Sequence, residues 1–423
     1  MIKAYLLLLL MLLLTSCDKE DDSPVSLAVS SISPETGPIG TTVTITGTGF
    51  STALNENEVT INDKPAKITA ATATSLTVTI PVRAGSGKFT VKTKGKTTES
   101  PAFNYETTAI VSTLAGGTRG FADGTGTNAH FREIRQLAVA PDGSLYGADK
   151  ENNRIRKITP DGVVTTFVGG TRGHADGIGT AAQLNLPSGI VLGPNGIFYV
   201  CDDHKIRIIN ADGEVGTLAG RSWGYADGLG PTADFRGLYN IARAPNGNLF
   251  VTDYHNNRIR KIAPDGTVST FAGNESGYED GTGTQAKFSA PMGITAGADG
   301  NLYVTDGSNR IRKITPEGVV TTFSSIEVGY VDGDLEAARF FRPQNVIVAS
   351  DGTIYVSDMM NHKIRQISPD GKVTTLAGGR QGDLDGTGTQ AKFYMPAALA
   401  LASDSILYVS EYGNFKIRKI ILR

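Results

Sequence analysis

The chain has 423 residues, of which 39% are hydrophobic and 51 are glycine. This composition is typical of a turn-rich, mostly β protein with two or more folded units. The formal net charge is −2, with charges of both signs interspersed, so there is no basic stripe and nucleic acid is excluded as an expected partner.

The first 25 residues are predicted to be an export signal and a tether. Residues 1–16 carry one Lys and an apolar run that is too short for a good membrane span. The ending LTSC resembles a lipobox, which implies that Cys17 is lipidated and becomes the new N-terminus. Residues 17–25 are predicted to be a solvated acidic tether. The acidic run also resembles the signal of Sus-like surface lipoproteins, which implies lipid anchoring in the outer membrane, facing the cell exterior.

Residues 26–107 are predicted to form a small β-sandwich. SISPETGPIGTTVTITGTGF opens with turn residues and then alternates, and short strand-like runs such as SLTVTIPV and KFTVKTKG follow. Together with VTINDKPA and the closing PAFNY, these runs resemble the IPT/TIG immunoglobulin-like domain over its whole length. That resemblance implies a spacer between an anchor and a working domain.

Residues 108–423 contain a repeat of about fifty residues. Aligning segments such as LYGADKENNRIRKI and LFVTDYHNNRIRKI places acidic residues in register at spacings of 53, 51, 53, 52 and 53: Asp149, Asp202, Asp253, Asp306, Asp358 and Glu411. Each repeat holds four strand-like runs, as a propeller blade does. The DGNLYVTD and NRIRKI motifs resemble NHL repeats in all six copies, which implies a β-propeller but says little about chemistry.

The last repeat lacks an outer strand, and AIVSTLAGG at residues 109–117 matches the missing run. A ring closed in this way has fewer unpaired edges. We therefore predict an all-β fold, in which an immunoglobulin-like IPT/TIG sandwich is followed by a six-bladed NHL-type β-propeller closed by an N-terminal outer strand.

An Asp-Gly loop recurs before each repeat. We interpret its Asp as closing an Asx-type turn and the next residues as capping a helical turn. No cofactor is predicted. Structural calcium is the alternative, and Asp383 and Asp385 in DLDGTGT are its best candidates, because calcium needs several oxygen ligands in one loop. The Arg and Lys of the KIRKI strands occur in every copy, and we interpret them as pairing at the rim.

The candidate site lies where the repeat is broken on the long-loop face. Aromatic rings stack on the apolar face of a sugar, and amides and Arg bond its hydroxyls. The sequence therefore predicts binding of a glycan or another small extracellular ligand without catalysis. Packing between blades is the alternative for each aromatic residue. The predicted ligand-binding residues are Arg135, Gln136, Trp223, Tyr225, Tyr239, Asn240, Tyr254, His255, Gln344, Asn345 and Tyr412.

Two other functions remain open. Related propellers include metal-dependent hydrolases, lactonases and lyases, but the mouth positions here offer amides without a ring of carboxylates, and no catalytic residue is predicted. The same surface also suits a protein interaction platform in an outer-membrane complex. Cys201 stands in FYVCD where sibling repeats have small residues, so we predict a buried strand residue rather than a catalytic thiol.

Overall fold

The computed structural model describes residues 26–82 and 84–423, so the predicted signal, Cys17 and the tether lie outside the described residues. Strands form most of the regular structure and the helices are single 3-10 turns, which confirms the all-β prediction. The chain divides into two compact units between Glu106 and Thr107. Within the described part of the chain, no helix combines the length and apolarity that crossing a membrane requires.

The first unit has two β-sheets. Along Thr42–Thr48, Val43 and Ile45 are fully buried and the threonines between them are not, because successive side chains of a strand point to opposite faces. Phe89 and Phe103 meet in the core with ring centroids 5.8 Å apart. One sheet has the strand order Ala28–Ser33, Thr42–Thr48, Ser75–Thr79 and Lys67–Ala71, and the other has Thr36–Gly37, Lys96–Tyr105, Gly87–Thr93, Asn57–Ile61 and Lys64–Pro65.

The second unit has six five-stranded sheets, here called sheets one to six. Each is antiparallel and consists of an inner strand, a second, a third and an outer strand, and a short fifth strand from the Asp-Gly loop. From inner to fifth strand, the bounds are Ile134–Val139, Leu145–Asp149, Arg154–Ile158, Val163–Gly169 and Gly124–Thr125 in sheet one; Pro187–Leu192, Phe198–Asp202, Lys205–Ile209, Glu214–Ala219 and Gly177–Ile178 in sheet two; and Leu238–Arg243, Leu249–Asp253, Arg258–Ile262, Thr267–Ala272 and Gly228–Leu229 in sheet three.

The remaining sheets repeat this order. Their bounds are Ile294–Ala296, Leu302–Thr305, Ile311–Ile314, Val319–Thr322 and Gly281–Thr282 in sheet four; Pro343–Val348, Ile354–Asp358, Lys363–Ile367, Lys372–Ala377 and Gly333–Asp334 in sheet five; and Pro396–Ser403, Ile406–Glu411, Lys416–Leu422, Ala109–Gly116 and Gly386–Thr387 in sheet six. A two-stranded parallel pair joins Thr171–Arg172 to Gln183–Leu184. The 3-10 turns are Leu54–Glu56, Gly126–Asn128, Lys150–Asn152, Gly179–Ala181, Pro194–Gly196, Gly230–Thr232, Tyr254–Asn256, Gly283–Gln285, Met359–Asn361 and Gly388–Gln390.

Neighbouring sheets pack face to face through their apolar sides. Tyr146 of sheet one meets Phe198 of sheet two with ring centroids 4.3 Å apart, inside one buried cluster. The inner strand of each sheet contacts the inner strand of the next, and the inner strand of sheet six contacts that of sheet one. The strand Ala109–Gly116 pairs with Lys416–Leu422. This is the architecture of a β-propeller.

A buried ionic network recurs in the six sheets and corrects the interpretation of the KIRKI strands. The middle Arg of each third strand is fully buried and does not lie at the rim: Arg156, Arg207, Arg260, Arg312, Arg365 and Arg418. In sheet one, Arg156 Nη1 lies 2.9 Å from Asp149 Oδ2, and Arg156 Nη2 lies 2.7 Å from Asp123 Oδ1. The registered acidic residues therefore neutralise a buried guanidinium.

The same network corrects the interpretation of the Asp-Gly loops. The 3-10 turn after Asp123 has no side-chain cap. Instead, Asp123 accepts hydrogen bonds from Arg156 and from the backbone N–H and hydroxyl of Thr166 on the outer strand. The Asp123 carboxylate thus fixes the loop to the outer strand. The fifth strand, Gly124–Thr125, begins at the next residue and pairs with that outer strand.

Candidate functional site

A cavity of about 520 Å³ lies where the inner strands begin. Arg135, Tyr239 and Gln344 enter it from the inner strands of sheets one, three and five. The loops after the second strands contribute Lys150, Asp203, Tyr254, His255 and Tyr412, and the long loops before the inner strands contribute Glu133 and Trp223. We call this space the mouth cavity.

The centre of the mouth cavity is a cluster of three hydrogen-bonded side chains. The hydroxyl of Tyr239 accepts hydrogen bonds from Arg135 Nη1 and from Gln344 Nε2. The Arg135 guanidinium lies 4.7 Å from the Tyr239 ring centroid and 5.0 Å from that of Tyr412, and it also pairs with Glu133. The sequence predicted Arg135, Tyr239, Gln344 and Tyr412, and the structure brings all four together.

Burial shifts the pKa values of two side chains beside this cluster, Tyr412 and Lys150. It raises the pKa of Tyr412 well above its usual value, so the hydroxyl stays protonated. Burial, followed by repulsion from Arg135, lowers the pKa of Lys150. The Arg135 side chain is 14% exposed and its partner Glu133 is 16% exposed, so a guanidinium and a carboxylate face the cavity in a poorly hydrated environment. Such groups offer strong hydrogen bonds to a ligand that displaces water.

A continuous row of rings forms one wall of the mouth cavity. Tyr254 stacks on Tyr239 with centroids 5.5 Å apart and an interplanar angle of 22°. His255 meets Tyr254 edge-on at 4.8 Å and lies 5.7 Å from Trp223. Trp223 is the only tryptophan in the chain, and its side chain is 49% exposed. An exposed indole at the edge of a partly buried aromatic wall is suited to stacking on a ligand.

Three of the predicted residues lie beneath the mouth cavity rather than in its lining. Gln136, Asn240 and Asn345 are each one position further along an inner strand and are buried. Asn345 Nδ2 donates to Gln136 Oε1 at 2.9 Å, and Asn240 Oδ1 accepts from the N–H of Ile241 at 2.7 Å. Adjacent strand residues point in different directions, so only the first member of each predicted pair faces the cavity.

Tyr225 lies outside the mouth cavity. It is 48% exposed, its ring lies 4.1 Å from the Arg258 guanidinium, and its hydroxyl lies 2.9 Å from Thr270 Oγ1. Phe121 and Tyr278 occupy the same position in their repeats and lie on Arg154 and Arg310. In sheets one, three, four and five, a ring of this column therefore covers the first cation of the KIRKI motif.

The two calcium candidates face cations. Asp383 contacts Lys416 Nζ at 2.6 Å, and Asp385 contacts Arg418 and the backbone N–H of Thr113. Among the described residues, a different group brings metal-ligating atoms together, namely His174, Asp203 and His204. Cys201 is fully buried, and burial raises the pKa of its thiol, so it is not poised as a nucleophile.

Sequence reasoning missed Glu133, Lys150 and Asp203 in the cavity wall. Lys150 and Asp203 each follow the registered acidic residue of their repeat, as Tyr254 and Tyr412 do. A comparison of this position across all six repeats would have found them, because it is the first residue of the loop after each second strand, and that loop lies beside the starts of the inner strands. Glu133 belongs to a second repeat column, the residue directly before an inner strand, and Leu186, Gly237, Arg342 and Met395 hold this position in other sheets and also line the cavity.

Three comparisons place the two units among known proteins. Residues 27–106 match the model of the IPT/TIG domain. The chain is 31% identical over 300 residues to Protein SUPPRESSOR OF QUENCHING 1, chloroplastic, of Arabidopsis thaliana, which covers 63% of this chain and 28% of that protein. It is 28% identical over 325 residues to NHL repeat-containing protein 2 of Bos taurus, covering 66% and 45% respectively. The chain spans less than half the length of these relatives.

Solved structures with a similar fold cover almost all of the chain. A Bacteroides thetaiotaomicron protein of unknown function is 21% identical, with a TM-score of 0.64 over 96% of this chain and 99% of that one. An auxiliary nutrient binding protein from Bacteroides ovatus is 22% identical, with a TM-score of 0.57 over 94% and 98%. Fold and cavity define a β-propeller protein. More particularly, the chain joins an IPT/TIG domain to an NHL-repeat propeller.

Proposed function

We propose that the six sheets form a closed six-bladed ring and that its mouth binds an extracellular glycan without catalysis. The pairing of Ala109–Gly116 with Lys416–Leu422 supports ring closure, as do the contacts between the inner strands of sheets six and one. With the ring closed in this way, the mouth cavity lies at the end of the central channel, where propellers present the starts of their inner strands.

One observation carries the proposed glycan binding. A single cavity joins the aromatic wall, from Trp223 to Tyr239, to the hydrogen-bonded cluster of Arg135, Tyr239 and Gln344. Rings cover the apolar face of a pyranose, and a guanidinium and an amide bond its hydroxyls. The volume of about 520 Å³ falls within the range of small-ligand sites.

We also propose that the protein is a lipoprotein of a Sus-like nutrient uptake system, anchored through Cys17 in the outer membrane and facing outward. LTSC and the acidic run after it support this placement. Two solved structures of similar fold, from Bacteroides ovatus and Bacteroides thetaiotaomicron, are called auxiliary nutrient binding proteins, which fits a binding role for this chain.

A glycan array followed by calorimetry on the best ligand tests the binding proposal. We expect Trp223→Ala to weaken that ligand at least about 10-fold, equivalent to roughly 1.4 kcal/mol, because it removes the exposed stacking surface. We expect Tyr239→Phe to weaken it as well, because the hydroxyl that orders Arg135 and Gln344 is lost.

Tyr278→Ala is the matched control, since Tyr278 is an exposed ring on Arg310 outside the cavity. Equal affinities for Trp223→Ala, Tyr278→Ala and the unaltered protein would contradict the proposed site. Metal-dependent turnover of a panel of lactones or esters would contradict a role without catalysis.

A further inference from the structure

Sheet two breaks a rule that the other Asp-Gly loops follow. The residue two positions before the Asp-Gly pair lies on the first cation of the third strand, with Phe121 3.8 Å from Arg154 and Tyr225 4.1 Å from Arg258. In sheet six an ion pair, Asp383 with Lys416, replaces the ring. In sheet two the residue is His174, and its ring faces another histidine.

The partner of His174 is His204, whose ring centroid lies 4.7 Å away at an interplanar angle of 65°. The first cation of the third strand in sheet two is Lys205, and its Nζ donates to the Gly220 carbonyl at 2.9 Å. The loop between the second and third strands is also shorter in sheet two than in the other sheets, because only Asp203 and His204 separate Asp202 from Lys205. Shortening therefore draws these two residues back beside His174.

The three side chains converge on one point. A ligand atom from each of His174, Asp203 and His204 lies within 4.8 Å of the other two. The Asn185 amide nitrogen occupies the space between two of them, 3.3 Å from His174 Nε2 and 3.0 Å from Asp203 Oδ2. His204 Nδ1 lies 2.9 Å from the same Asp203 oxygen. The Asn185 amide nitrogen thus lies between two acceptor atoms, His174 Nε2 and Asp203 Oδ2.

A buried carboxylate orients His174 from behind. His174 Nδ1 lies 3.4 Å from Asp202 Oδ2, and Asp202 is fully buried. With Nδ1–H donating to that carboxylate, Nε2 carries the lone pair that faces Asn185 and Asp203. A carboxylate behind an imidazole is the arrangement that fixes the tautomer and orientation of metal-ligating histidines.

We propose that His174, Asp203 and His204 bind a divalent transition-metal ion of the zinc class. Two imidazoles and one carboxylate suit Zn²⁺, whereas Ca²⁺ prefers an all-oxygen shell. His174 Nε2, an Asp203 oxygen and a His204 ring nitrogen are the ligands, and water completes the coordination. Binding displaces the Asn185 amide and draws the ligand atoms together to roughly 3.3 Å, the spacing that metal–ligand bonds of about 2.0 Å require.

The position of this metal site allows the necessary adjustment. His174, Asp203 and His204 are 24%, 19% and 17% exposed, so an ion can enter from solvent and the side chains can shift. Asp203 also lines the mouth cavity. The metal site therefore borders the proposed glycan site, but its ligands are separate from the aromatic wall, so either site can exist without the other.

Calorimetric titration of Zn²⁺ into the purified protein, without a histidine tag, tests the proposal. We expect one binding site, with affinity lowered at least about 100-fold in His174→Ala and in His204→Ala, since loss of an orienting partner alone costs about 10–100-fold. Asn185→Ala should bind at least as tightly as the unaltered protein, because the competing donor is gone. With Co²⁺ in place of Zn²⁺, we expect visible absorption that both histidine variants lose.

His130→Ala is the matched control, because His130 lies outside the metal-ligating group. The proposal is overturned if the unaltered protein binds no Zn²⁺, or if His174→Ala and His204→Ala bind it unchanged. It is also overturned if His130→Ala loses as much affinity as those variants, or if Asn185→Ala binds more weakly. Circular dichroism at each substitution separates loss of a ligand from loss of folding.

Discussion

A fully buried arginine in each sheet fixes the position of the neighbouring Asp-Gly loop. In sheet three, Arg260 Nη1 lies 2.9 Å from Asp253 Oδ2, and Nη2 lies 2.6 Å from Asp227 Oδ1 and 2.7 Å from the Ala226 carbonyl. Taking a guanidinium out of water is unfavourable unless its donors are satisfied. The bonds to Asp227 and Ala226 therefore hold the Asp-Gly loop in place, and with it the loop that carries Trp223.

Opposing effects set the ionisation of the buried carboxylate. Burial raises the pKa of Asp253, and the bonds from Asn256, the Arg236 backbone N–H and Arg260 act against that rise. In sheet five, burial raises the pKa of Asp358 to about 6. Removing the arginine therefore leaves a buried carboxylate without its counter-ion, although Asp253 keeps its bonds from Asn256 and the Arg236 backbone N–H.

We expect Arg260→Met to lower the free energy of unfolding by about 3–5 kcal/mol, because it leaves Asp253 buried and unpaired. Arg258→Met is the control, since Arg258 is partly exposed and its stacking on Tyr225 contributes about 0.5–1 kcal/mol. Urea unfolding of both variants measures the difference. Equal losses for Arg258→Met and Arg260→Met would contradict the role assigned to the buried pair.

At the scale of elements, one strand joins the two ends of the propeller unit. Ala109–Gly116 pairs along its length with Lys416–Leu422, and Ser112 lies directly opposite Lys419. Val111 is almost fully buried in the cluster between sheets five and six. Ala115 is fully buried in the cluster between sheets six and one, because the register shifts between Thr113 and Ala115. Sheet six therefore depends on residues about three hundred positions apart.

We expect the double substitution Ser112→Cys and Lys419→Cys to form a disulfide on mild oxidation. Residues directly opposite in an antiparallel pair have Cα atoms about 4.5–5.5 Å apart, within disulfide range. Closing so long a loop should stabilise the fold by up to about 5 kcal/mol. Gel mobility without reductant and the thermal midpoint measure bond formation and stabilisation.

Ser112→Cys with Lys157→Cys is the matched control for this pair, because Lys157 holds the same position in sheet one. The buried Cys201 should not compete, since burial raises the pKa of its thiol. Failure of the 112–419 pair to cross-link, or equal cross-linking of the control pair, would exclude the proposed ring closure.

At the scale of the whole molecule, the proposed anchor and the proposed binding site occupy different parts of the chain. Every residue that lines the mouth cavity belongs to residues 107–423, whereas the lipobox-like motif ends at Cys17. Loss of the anchor should therefore change where the protein is found without changing what it binds.

We expect Cys17→Ala to move the protein from the membrane fraction to the soluble fraction and to leave its glycan affinity unchanged. Cell fractionation and calorimetry measure the two effects. Cys201→Ser is the control and should stay in the membrane fraction, because Ser357 and Ser410 already occupy this buried position in sheets five and six. Retention of Cys17→Ala in the membrane fraction would rule out anchoring through this cysteine.

The predictable part of the candidate site follows from one repeat column at the start of the inner strands, in which Ser188 and Met292 also line the mouth cavity. Arg135, Tyr239 and Gln344 differ from the Pro-Ser-Gly and Pro-Met-Gly of sibling repeats, and all three line the mouth cavity. Tyr225 shows the limit of that approach, because its column contains aromatic residues for a structural reason, the cation beneath each ring. The position of a residue in its repeat therefore predicted contact with the cavity better than its chemical type did.

Local pattern alone determined the all-β class, the repeat and the resemblance to IPT/TIG and NHL families, because alternation and turn residues depend on near neighbours in the chain. Only tertiary structure revealed that the KIRKI arginines are buried, that Asn345 bonds Gln136 beneath the cavity, and that His174 meets His204. These contacts join residues that are distant in sequence. The packing of the sheets determines which side chains make these contacts, and the pattern of residues within one strand does not predict that packing.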